Sequence, residues 1–354
     1  MFKGLNIVLV LYMYNSIHIK EYLIYDVYHN DLNQIVVVRP NEGKCINIEY
    51  NSIKFTRHDC KHGQSLVFIL YKEVEYQEKI TLKINNIQVE TKVNKYPIFE
   101  NEIILSTMVK NEDNYVKQWI KYHLNIGVNK IIVYDNAGMN DKLSRESVET
   151  SSDLPNVLKK YIDEKKVILI NWPYLKRYSQ MGNPNGQTTQ QCHSINAFKK
   201  SRLIGLFDID EYVNTQKVKN IHNFFDNYIK INNCDLSKIG GFRLKCKFFH
   251  NSKNQPVNDF LFLNIFNSGS LIEFSNGHSK MFVQPCNVNT FSVHRITNGR
   301  PMHEIVDNSI YFNHYIFLNK PKKMQGRYNF GGNKLDSTIL ENARNLISLS
   351  KNEY

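Results

Sequence analysis

The six cysteines of this 354-residue sequence include no Cys-x-x-Cys pair, which excludes a zinc knuckle and a thioredoxin-type redox motif. Long apolar runs are also missing, because the apolar stretch at residues 4–14 is shorter than the roughly 20 residues that span a bilayer. We therefore expect a first β-strand there rather than a signal or anchor, and free thiols in a cytoplasmic protein. A disulfide between Cys45 and Cys60 and a peripheral contact with a membrane surface stay open.

Acidic residues are fewer than basic ones, with 33 Asp and Glu against 45 Lys and Arg and a formal net charge of +12. Such a balance favours anionic partners, among them nucleotides, nucleic acids and membrane surfaces. The lysines are scattered, however, and the sequence lacks the basic clusters with interleaved aromatic residues that are typical of nucleic-acid sites. We expect no nucleic-acid partner, and we interpret the densest basic stretch, residues 320–323, as a solvated surface.

The first 97 residues have the pattern of β-structure. Segments rich in Val, Ile, Tyr and Thr are bounded by Asn, Asp, Gly or Pro, and no helical period runs through them. The predicted strands are Glu21–Tyr28, Gln34–Arg39, Ile46–Phe55, Ser65–Tyr71 and Ile80–Val93. The simplest packing for such strands is a small all-β, sandwich-like domain. Pro97 then lies in the linker to a second domain that covers residues 98–354.

From residue 103 onwards, predicted strands alternate with helices. The strands are Ile103–Val109, Ile131–Tyr134, Val167–Ile170 and Leu203–Phe207, and the helices are a segment from the Asn111 cap to Gly127, Gln187–Lys199 and a final one at about 335–349. This order predicts an α/β domain with a mostly parallel sheet, whose ligand site lies outside the carboxyl ends of the strands. His123 falls on the apolar stripe of its helix, which favours a core histidine.

Acidic side chains follow two of these strands. Asp208, Asp210 and Glu211 come directly after Leu203–Phe207, and Asp135 follows Ile131–Tyr134. Because desolvating an unpaired carboxylate costs several kcal/mol, we expect a cation beside the three acids. The carboxyl ends of parallel strands meet at one edge of a sheet, so Asp135 is expected to face the same ligand. The alternative interpretation of the three acids is an acidic loop after a strand, and that of Asp135 is an ordinary turn aspartate.

The ordered motifs of the chain resemble glycosyltransferase family 92 and its relatives of the GT-A fold, over about residues 103–317. The segments that carry the resemblance are Met108–Glu112, Trp119–Gly127, Ile132–Asn136, Gln187–Cys192, Phe207–Tyr212, Lys280–Pro285, Val293–His294 and Asn313–Tyr315. The resemblance implies a Rossmann-like GT-A catalytic domain that moves a hexose, often galactose, from a UDP-sugar to a glycan acceptor. A β-rich module often precedes that domain in the family, which fits residues 1–97. Residues 177–186 and 259–275 match less well.

The resemblance further implies a divalent metal. Mn²⁺ or Mg²⁺ suits hard carboxylate oxygens, and such an ion stabilises the charge that grows on the leaving diphosphate. We expect Asp210 to ligate the metal directly and Asp208 to contact the ribose, or the metal through water. A histidine from the carboxyl-terminal part would complete the sphere, with His314 as the first choice and His294 as the second.

The expected contacts to the donor come from four other places. Asp135 would hydrogen-bond the uracil or ribose, as the resemblance implies, and Lys110 and Arg295 are candidates for the diphosphate. Gln187 and Gln190 lie on one face of a predicted helix and could border the donor sugar. Solvated surface roles are the alternative for both glutamines.

An inverting transferase also needs a general base that takes the proton from the acceptor hydroxyl. Glu273, Asp259 and Glu304 are the candidates, and we favour Glu273, although spacing does not choose among them. Inversion itself is only an implication of the resemblance. The alternative function is a catalytically inactive GT-A domain that binds carbohydrate. The donor sugar, the acceptor and the oligomeric state stay open.

Overall fold

The structure is a computed structural model, and it describes residues 17–19, 22–40, 45–60, 65–110, 112–136, 153–172, 186–216, 218–249, 267–272, 278–315 and 334–343. The helices are α1 Asp113–Asn125, α2 Leu154–Val157, α3 Lys159–Asp163, α4 Gly186–Ala197 and α5 Ile221–Ile231. Residues 339–343 are also helical, inside the predicted final helix. Within these ranges, no helix has the length and apolar content to cross a bilayer.

Strands make up most of the regular structure. Those before residue 97 are β1 Ile17–Ile19, β2 Tyr22–Ile24, β3 Asp26–His29, β4 Ile35–Pro40, β5 Ile48–Tyr50, β6 Ile53–Lys54, β7 Thr56–Asp59, β8 Ser65–Ile69, β9 Lys79–Ile84, β10 Ile87–Lys92 and β11 Asn94–Lys95. Those after it are β12 Ile103–Val109, β13 Lys130–Asp135, β14 Val167–Asn171, β15 Leu203–Leu206, β16 Glu211–Asn214, β17 Gly241–Phe249, β18 Asn267–Ile272, β19 Lys280–Val283, β20 Val288–Ser292, β21 Arg295–Gly299, β22 Met302–Glu304, β23 Tyr311–Tyr315 and β24 Lys334–Leu335.

The largest sheet combines a parallel half with an antiparallel half. Its parallel strands lie in the order β14-β13-β12-β15, and β19, β17, β18 and β24 continue it in antiparallel pairs. The strand order reverses between β12 and β15, which is the topological switch point where doubly wound sheets bind ligands. The mixed α/β class is confirmed, and each parallel strand matches its prediction to within one residue at either end.

Side chains of the parallel strands alternate between two cores. Ile103 and Leu105 of β12 pack with Trp119 of α1 on one face, while Ile104 packs on the other face with Ile195 of α4. This alternation follows from the period of two in a strand, and burial on both faces explains the almost continuous apolar sequence of β12.

The described residues before residue 97 form strands and turns in two main sheets, plus the β1–β2 hairpin. One sheet has five strands in the order β11-β3-β4-β8-β7, and the other has four in the order β10-β9-β5-β6. Val37 and Phe68 of the five-stranded sheet share a core with Leu82 of the four-stranded one. The opposite face of the five-stranded sheet, with Tyr28 and Val38, packs into the core that contains α4. A separate domain that ends at residue 97 therefore stays a prediction.

Two predictions of single strands in this region are wrong. Residues 46–55 and 80–93 each form a hairpin, β5–β6 and β9–β10, because two residues in the middle adopt positive φ. These are Asn51 with Ser52, and Asn85 with Asn86. Asparagine tolerates the left-handed region better than most residues, and a pair of such residues makes a tight hairpin turn. Residues 4–14 and the Asn111 cap lie outside the described residues.

Candidate active site

Asp208, Asp210 and Glu211 lie in a tight turn that leads from β15 into the first residue of β16, and we call residues 208–211 the acid turn. The backbone N–H of Glu211 donates to the carbonyl of Asp208 at 3.0 Å, and the N–H of Asp208 donates to the Glu211 carboxylate at 2.9 Å. Trp119 of α1 adds a hydrogen bond from its indole N–H to the Glu211 carbonyl, at 2.7 Å. Backbone, side chain and a neighbouring helix thus fix the three acids at the carboxyl end of β15.

His314, about a hundred residues further along the chain, lies next to the acid turn. β16 pairs antiparallel with β23, and the register places Glu211 opposite His314. The His314 Nε2 atom lies 3.4 Å from an Asp210 oxygen, and its Nδ1 atom lies 3.8 Å from a Glu211 oxygen. One possible ligand atom from each of these three residues lies within 4.8 Å of the others. Two carboxylates and an imidazole are a donor set that fits a divalent ion such as Mn²⁺.

Lys280, the first residue of β19, supplies a cation from within the chain. Its Nζ atom lies 2.7 Å from an Asp208 oxygen and 3.1 Å from a Glu211 oxygen, and the lysine side chain is 2% exposed. A buried lysine needs such partners, because an unpaired buried charge is costly. The expected cation beside the acids is therefore present as a lysine, before any metal is considered.

Burial and mutual charge shift the pKa values in this cluster. Burial raises the pKa of Glu211 to about 7, and the nearby Asp208 and Asp210 carboxylates act in the same direction against Lys280. Burial alone would lower the pKa of Lys280, but Asp208 and Glu211 outweigh it and hold that pKa above its ordinary value. Likewise, burial opposes the charged form of His314, yet Asp210 and Glu211 raise its pKa on balance. The cluster therefore favours positive partners for its carboxylates.

Helix α4 connects the acid turn to the sheet through its glutamines. The Gln187 side-chain amide donates to the second oxygen of Asp208 at 2.5 Å, so that protein groups contact both carboxylate oxygens of this aspartate. Gln190 is buried and donates to the Ser106 hydroxyl of β12 at 2.6 Å. The structure brings Gln187 to the acid turn, whereas Gln190 faces the sheet. Their contacts with a donor sugar stay predictions.

Asp135 and Lys110 lie at the same sheet edge as the acid turn. Asp135 ends β13 in register with Val109 of β12, and it is buried. Lys110 comes directly after the last residue of β12, Val109, and its side chain is exposed. Since β12 lies between β13 and β15, one strand separates Asp135 from the acid turn. Their contacts with the nucleotide stay predictions.

The other predicted residues lie around or beyond this cluster. His294, in the β20–β21 turn, is bonded through Nδ1 to the Ser279 carbonyl at 2.8 Å, and burial followed by the Lys280 charge lowers its pKa to about 4. Arg295 is exposed. Glu304 is bound by Arg243 at 3.0 Å. The other two candidate bases, Glu273 and Asp259, lie outside the described residues.

Sequence reasoning missed Glu211 as a possible metal ligand and Lys280 as the partner of Asp208. Both residues stood inside motifs, Phe207–Tyr212 and Lys280–Pro285. Their signal is the burial of a charged residue at the end of an apolar strand, which requires an opposite charge nearby. Which opposite charge it meets depends on the antiparallel pairing of β15 with β19, and local patterns do not reveal that pairing.

Comparison with known proteins adds evidence independent of the geometry. The sequence model of glycosyltransferase family 92 matches residues 103–347, more than half of the chain. A glycosyltransferase family 92 protein of Ricinus communis is 24% identical over 151 residues, 42% of this chain and 23% of that relative. Another from Arabidopsis thaliana is 26% identical over 114 residues, 32% of this chain and 16% of that relative. The matches span less than a quarter of the length of these two relatives.

Proposed function

Because the chain belongs to glycosyltransferase family 92, we propose that it transfers a hexose from a UDP-sugar to a glycan acceptor, with Mn²⁺ or Mg²⁺ bound at the acid turn. The observation that carries the proposal is the convergence of Asp210, Glu211 and His314 beside the switch point of a parallel sheet. Galactose as the hexose, a GT-A fold and inversion at the anomeric carbon rest on the family resemblance alone.

Each residue of the cluster has a role that its contacts support. Asp210, Glu211 and His314 would hold the ion through two carboxylates and one imidazole. When bound, such an ion offsets the negative charge that grows on the diphosphate. Asp208 is 41% exposed while Gln187 and Lys280 hold its two oxygens. It is therefore oriented, and open enough to accept a hydrogen bond from the ribose of the donor.

Two further roles are proposed at the same edge. Asp135 would bind the uracil or ribose, and Lys110, exposed at the end of β12, would neutralise part of the diphosphate charge. Proton removal from the acceptor is assigned to Glu273 in preference to Glu304, because the Glu304 carboxylate is already engaged in an ion pair with the Arg243 guanidinium at 3.0 Å.

Release of UDP tests the proposal. The full chain is incubated with Mn²⁺ and UDP-galactose, UDP-glucose or UDP-N-acetylglucosamine, with and without glycan acceptors, and free UDP is measured. We expect turnover with one donor, reduced roughly 100-fold or more in Asp210→Asn, because a metal supplies several kcal/mol of charge stabilisation. Asp235→Asn, at an exposed turn of the same domain, is the matched control and should keep full turnover. Unchanged turnover in folded Asp210→Asn would overturn the metal assignment.

A further inference from the structure

Two cysteines from distant parts of the chain meet between the N-terminal sheet and α4. Cys60 follows β7, Cys192 lies in α4, and both are buried. Their thiols donate to the same acceptor, the carbonyl of Phe291, at 3.3 Å and 3.4 Å. The two thiols are also close enough for each to shift the pKa of the other. Two sulfur atoms that both lie within 3.4 Å of one oxygen are near neighbours, as a disulfide requires.

We propose that Cys60 and Cys192 form an oxidative modification site, at which a disulfide joins the five-stranded sheet to α4. The Cys45–Cys60 bridge that the sequence left open is not formed in the structure, where both cysteines are free. The inference does not depend on the proposed transferase activity.

The surroundings of the two thiols shift their pKa values in opposite directions, so that one is suited to attack an oxidant and the other to complete the disulfide. The neighbouring Cys192 side chain lowers the pKa of Cys60 against the effect of burial, and Thr297, Ser292 and the Arg295 charge act in the same direction. The neighbouring Cys60 side chain and burial raise the pKa of Cys192. Thiolate character determines which cysteine attacks first, so Cys60 is the attacking thiol.

The chemistry is thiol–disulfide exchange with a small disulfide, such as oxidised glutathione, as the oxidant. The Cys60 thiolate attacks one sulfur of that disulfide, forms a mixed disulfide and releases one thiol. The Cys192 sulfur, after it loses its proton, attacks the Cys60 sulfur and releases the second thiol. Two protein thiols are thereby oxidised to one disulfide, and one small disulfide is reduced to two thiols.

The disulfide would covalently link the five-stranded N-terminal sheet to α4. It would close a long loop between residues 60 and 192, and cross-links of long loops restrict the unfolded chain most. Both thiols are buried, so exchange requires either local opening near the β20–β21 hairpin or formation during folding. Helix α4 also carries Gln187, which contacts Asp208.

Disulfide mapping tests the site on the full chain. Reduced protein is equilibrated in a series of glutathione buffers with an increasing fraction of oxidised glutathione. In one arm of the experiment the protein stays folded throughout, and in the other arm it is refolded from denaturant in the same buffers. Free thiols are then alkylated, and unreduced digests are analysed by mass spectrometry. We expect a linked Cys60–Cys192 peptide pair and a higher Tm, both lost on reduction. Cys45→Ser and Cys286→Ser, at exposed cysteines, should keep the link, and Cys192→Ser should lose it.

The two arms distinguish whether the oxidant can reach the buried thiols from whether Cys60 and Cys192 pair with each other. A link that forms in either arm supports the site, because the refolding arm removes the barrier of burial. Complete alkylation of Cys60 and Cys192 in both arms at the most oxidising buffer would overturn the proposal, as would their appearance in bridges with other cysteines. This result needs only the wild-type chain, so a misfolded variant cannot obscure it.

Discussion

At the residue scale, the charge balance of the acid turn depends on Lys280. Its ammonium contacts Asp208 and Glu211 at 2.7 Å and 3.1 Å from a fully buried position. The sequence correctly indicated that a cation must accompany three clustered acids, but it offered only a metal as that cation, at Asp210 and Asp208. The contacts instead divide the acids, with Asp208 held by Lys280 and Gln187, and Asp210 facing His314.

Replacing Lys280 by Met should destabilise the metal-free protein. The substitution leaves Asp208 and the buried Glu211 without their cation, and breaking a buried ion pair from one side costs about 3–5 kcal/mol. Thermal unfolding in a chelator measures the loss. Because the variant site is more negative, Mn²⁺ should raise its Tm more than that of the wild type.

Lys245→Met is the matched control for this experiment. Lys245 is also buried on the large sheet, but its ammonium donates to the Val306 carbonyl at 2.9 Å. Its replacement should leave the response to Mn²⁺ at the wild-type level. An equal Mn²⁺ response in Lys280→Met and Lys245→Met would contradict the role of Lys280 at the acids.

His123 should make the stability of the protein dependent on pH. Burial lowers its pKa to about 3, and the neutral ring bonds Trp119 O at 2.9 Å and the Val213 N–H at 3.2 Å. The folded pKa lies below the unfolded value near 6.5. As pH falls through 6.5 the unfolded chain therefore takes up a proton that the folded chain does not, so the contribution of His123 is complete above pH 6.5 and declines towards pH 3.

The expected loss from this residue is about 2 kcal/mol between pH 8 and pH 5. Urea unfolding at both pH values, for the wild type and His123→Gln, measures it as the difference between the two pH effects. Equal pH effects in both proteins would show that the ring does not stay neutral in the fold. The core role assigned to this histidine from its position on the apolar stripe is confirmed.

At the element scale, β17 and β19 place Lys280 through a close backbone contact. Gly241 begins β17 with φ of +137°, and a Cβ there would lie 2.1 Å from the carbonyl oxygen of Phe282. Gly205 of β15 is also crowded, but its nearest atoms belong to the side chains of Leu105, Phe282 and Phe207. Side chains can shift, whereas a paired backbone cannot without breaking the pairing of β17 with β19.

Gly241→Ala should therefore cost more stability than Gly205→Ala. We expect roughly 3 kcal/mol or more for Gly241→Ala, since overpacking adds to the unfavourable φ, and about 1–3 kcal/mol for Gly205→Ala. The free energies of unfolding in urea give the comparison. Equal losses would mean that the β17–β19 contact can relax as easily as the core.

The sequence predicted the parallel half of the large sheet well and the antiparallel half poorly. Continuous apolar runs such as Ile103–Val109 fix buried strands by themselves, and α4 was predicted from a helical stretch that ends within two residues of the observed Ala197. The pairing of β16 with β23, which brings His314 to Glu211, joins segments about a hundred residues apart. Such a register depends on the packing of the whole chain, so the choice of His314 rested on resemblance rather than on spacing.

At the scale of the whole molecule, α4 is a polar helix buried between two sheets. Its sequence carries many amide and hydroxyl groups, yet nearly all of it is buried. His193 links the layers, with Nε2 2.9 Å from Asp26 of β3 and Nδ1 2.7 Å from the Tyr134 hydroxyl of β13. Asp31 accepts from the backbone N–H groups that follow α4, at residues 199 and 200. The N-terminal sheet thus satisfies polar groups that the α/β part buries.

Deletion of residues 1–97 should therefore unfold α4. The truncated chain would expose the apolar side chains that pack against Tyr28 and Val38, and would leave His193 without Asp26. Buried polar groups that lose their partners cost about 1–3 kcal/mol each. Circular dichroism and UDP binding of residues 98–354 measure the result, and the full chain should melt in one transition. A truncated chain with native helix content and UDP affinity would establish the independent domain that the sequence suggested.

The central claim is a metal-dependent nucleotide site at the acid turn, and calorimetric titration of UDP tests it most directly. The full wild-type chain and Asp210→Asn are titrated with and without Mn²⁺, after both proteins are shown to be folded. We predict binding by the wild type that requires Mn²⁺ and is lost in Asp210→Asn. Equal UDP affinity in all four titrations, or binding in none of them, would contradict the account.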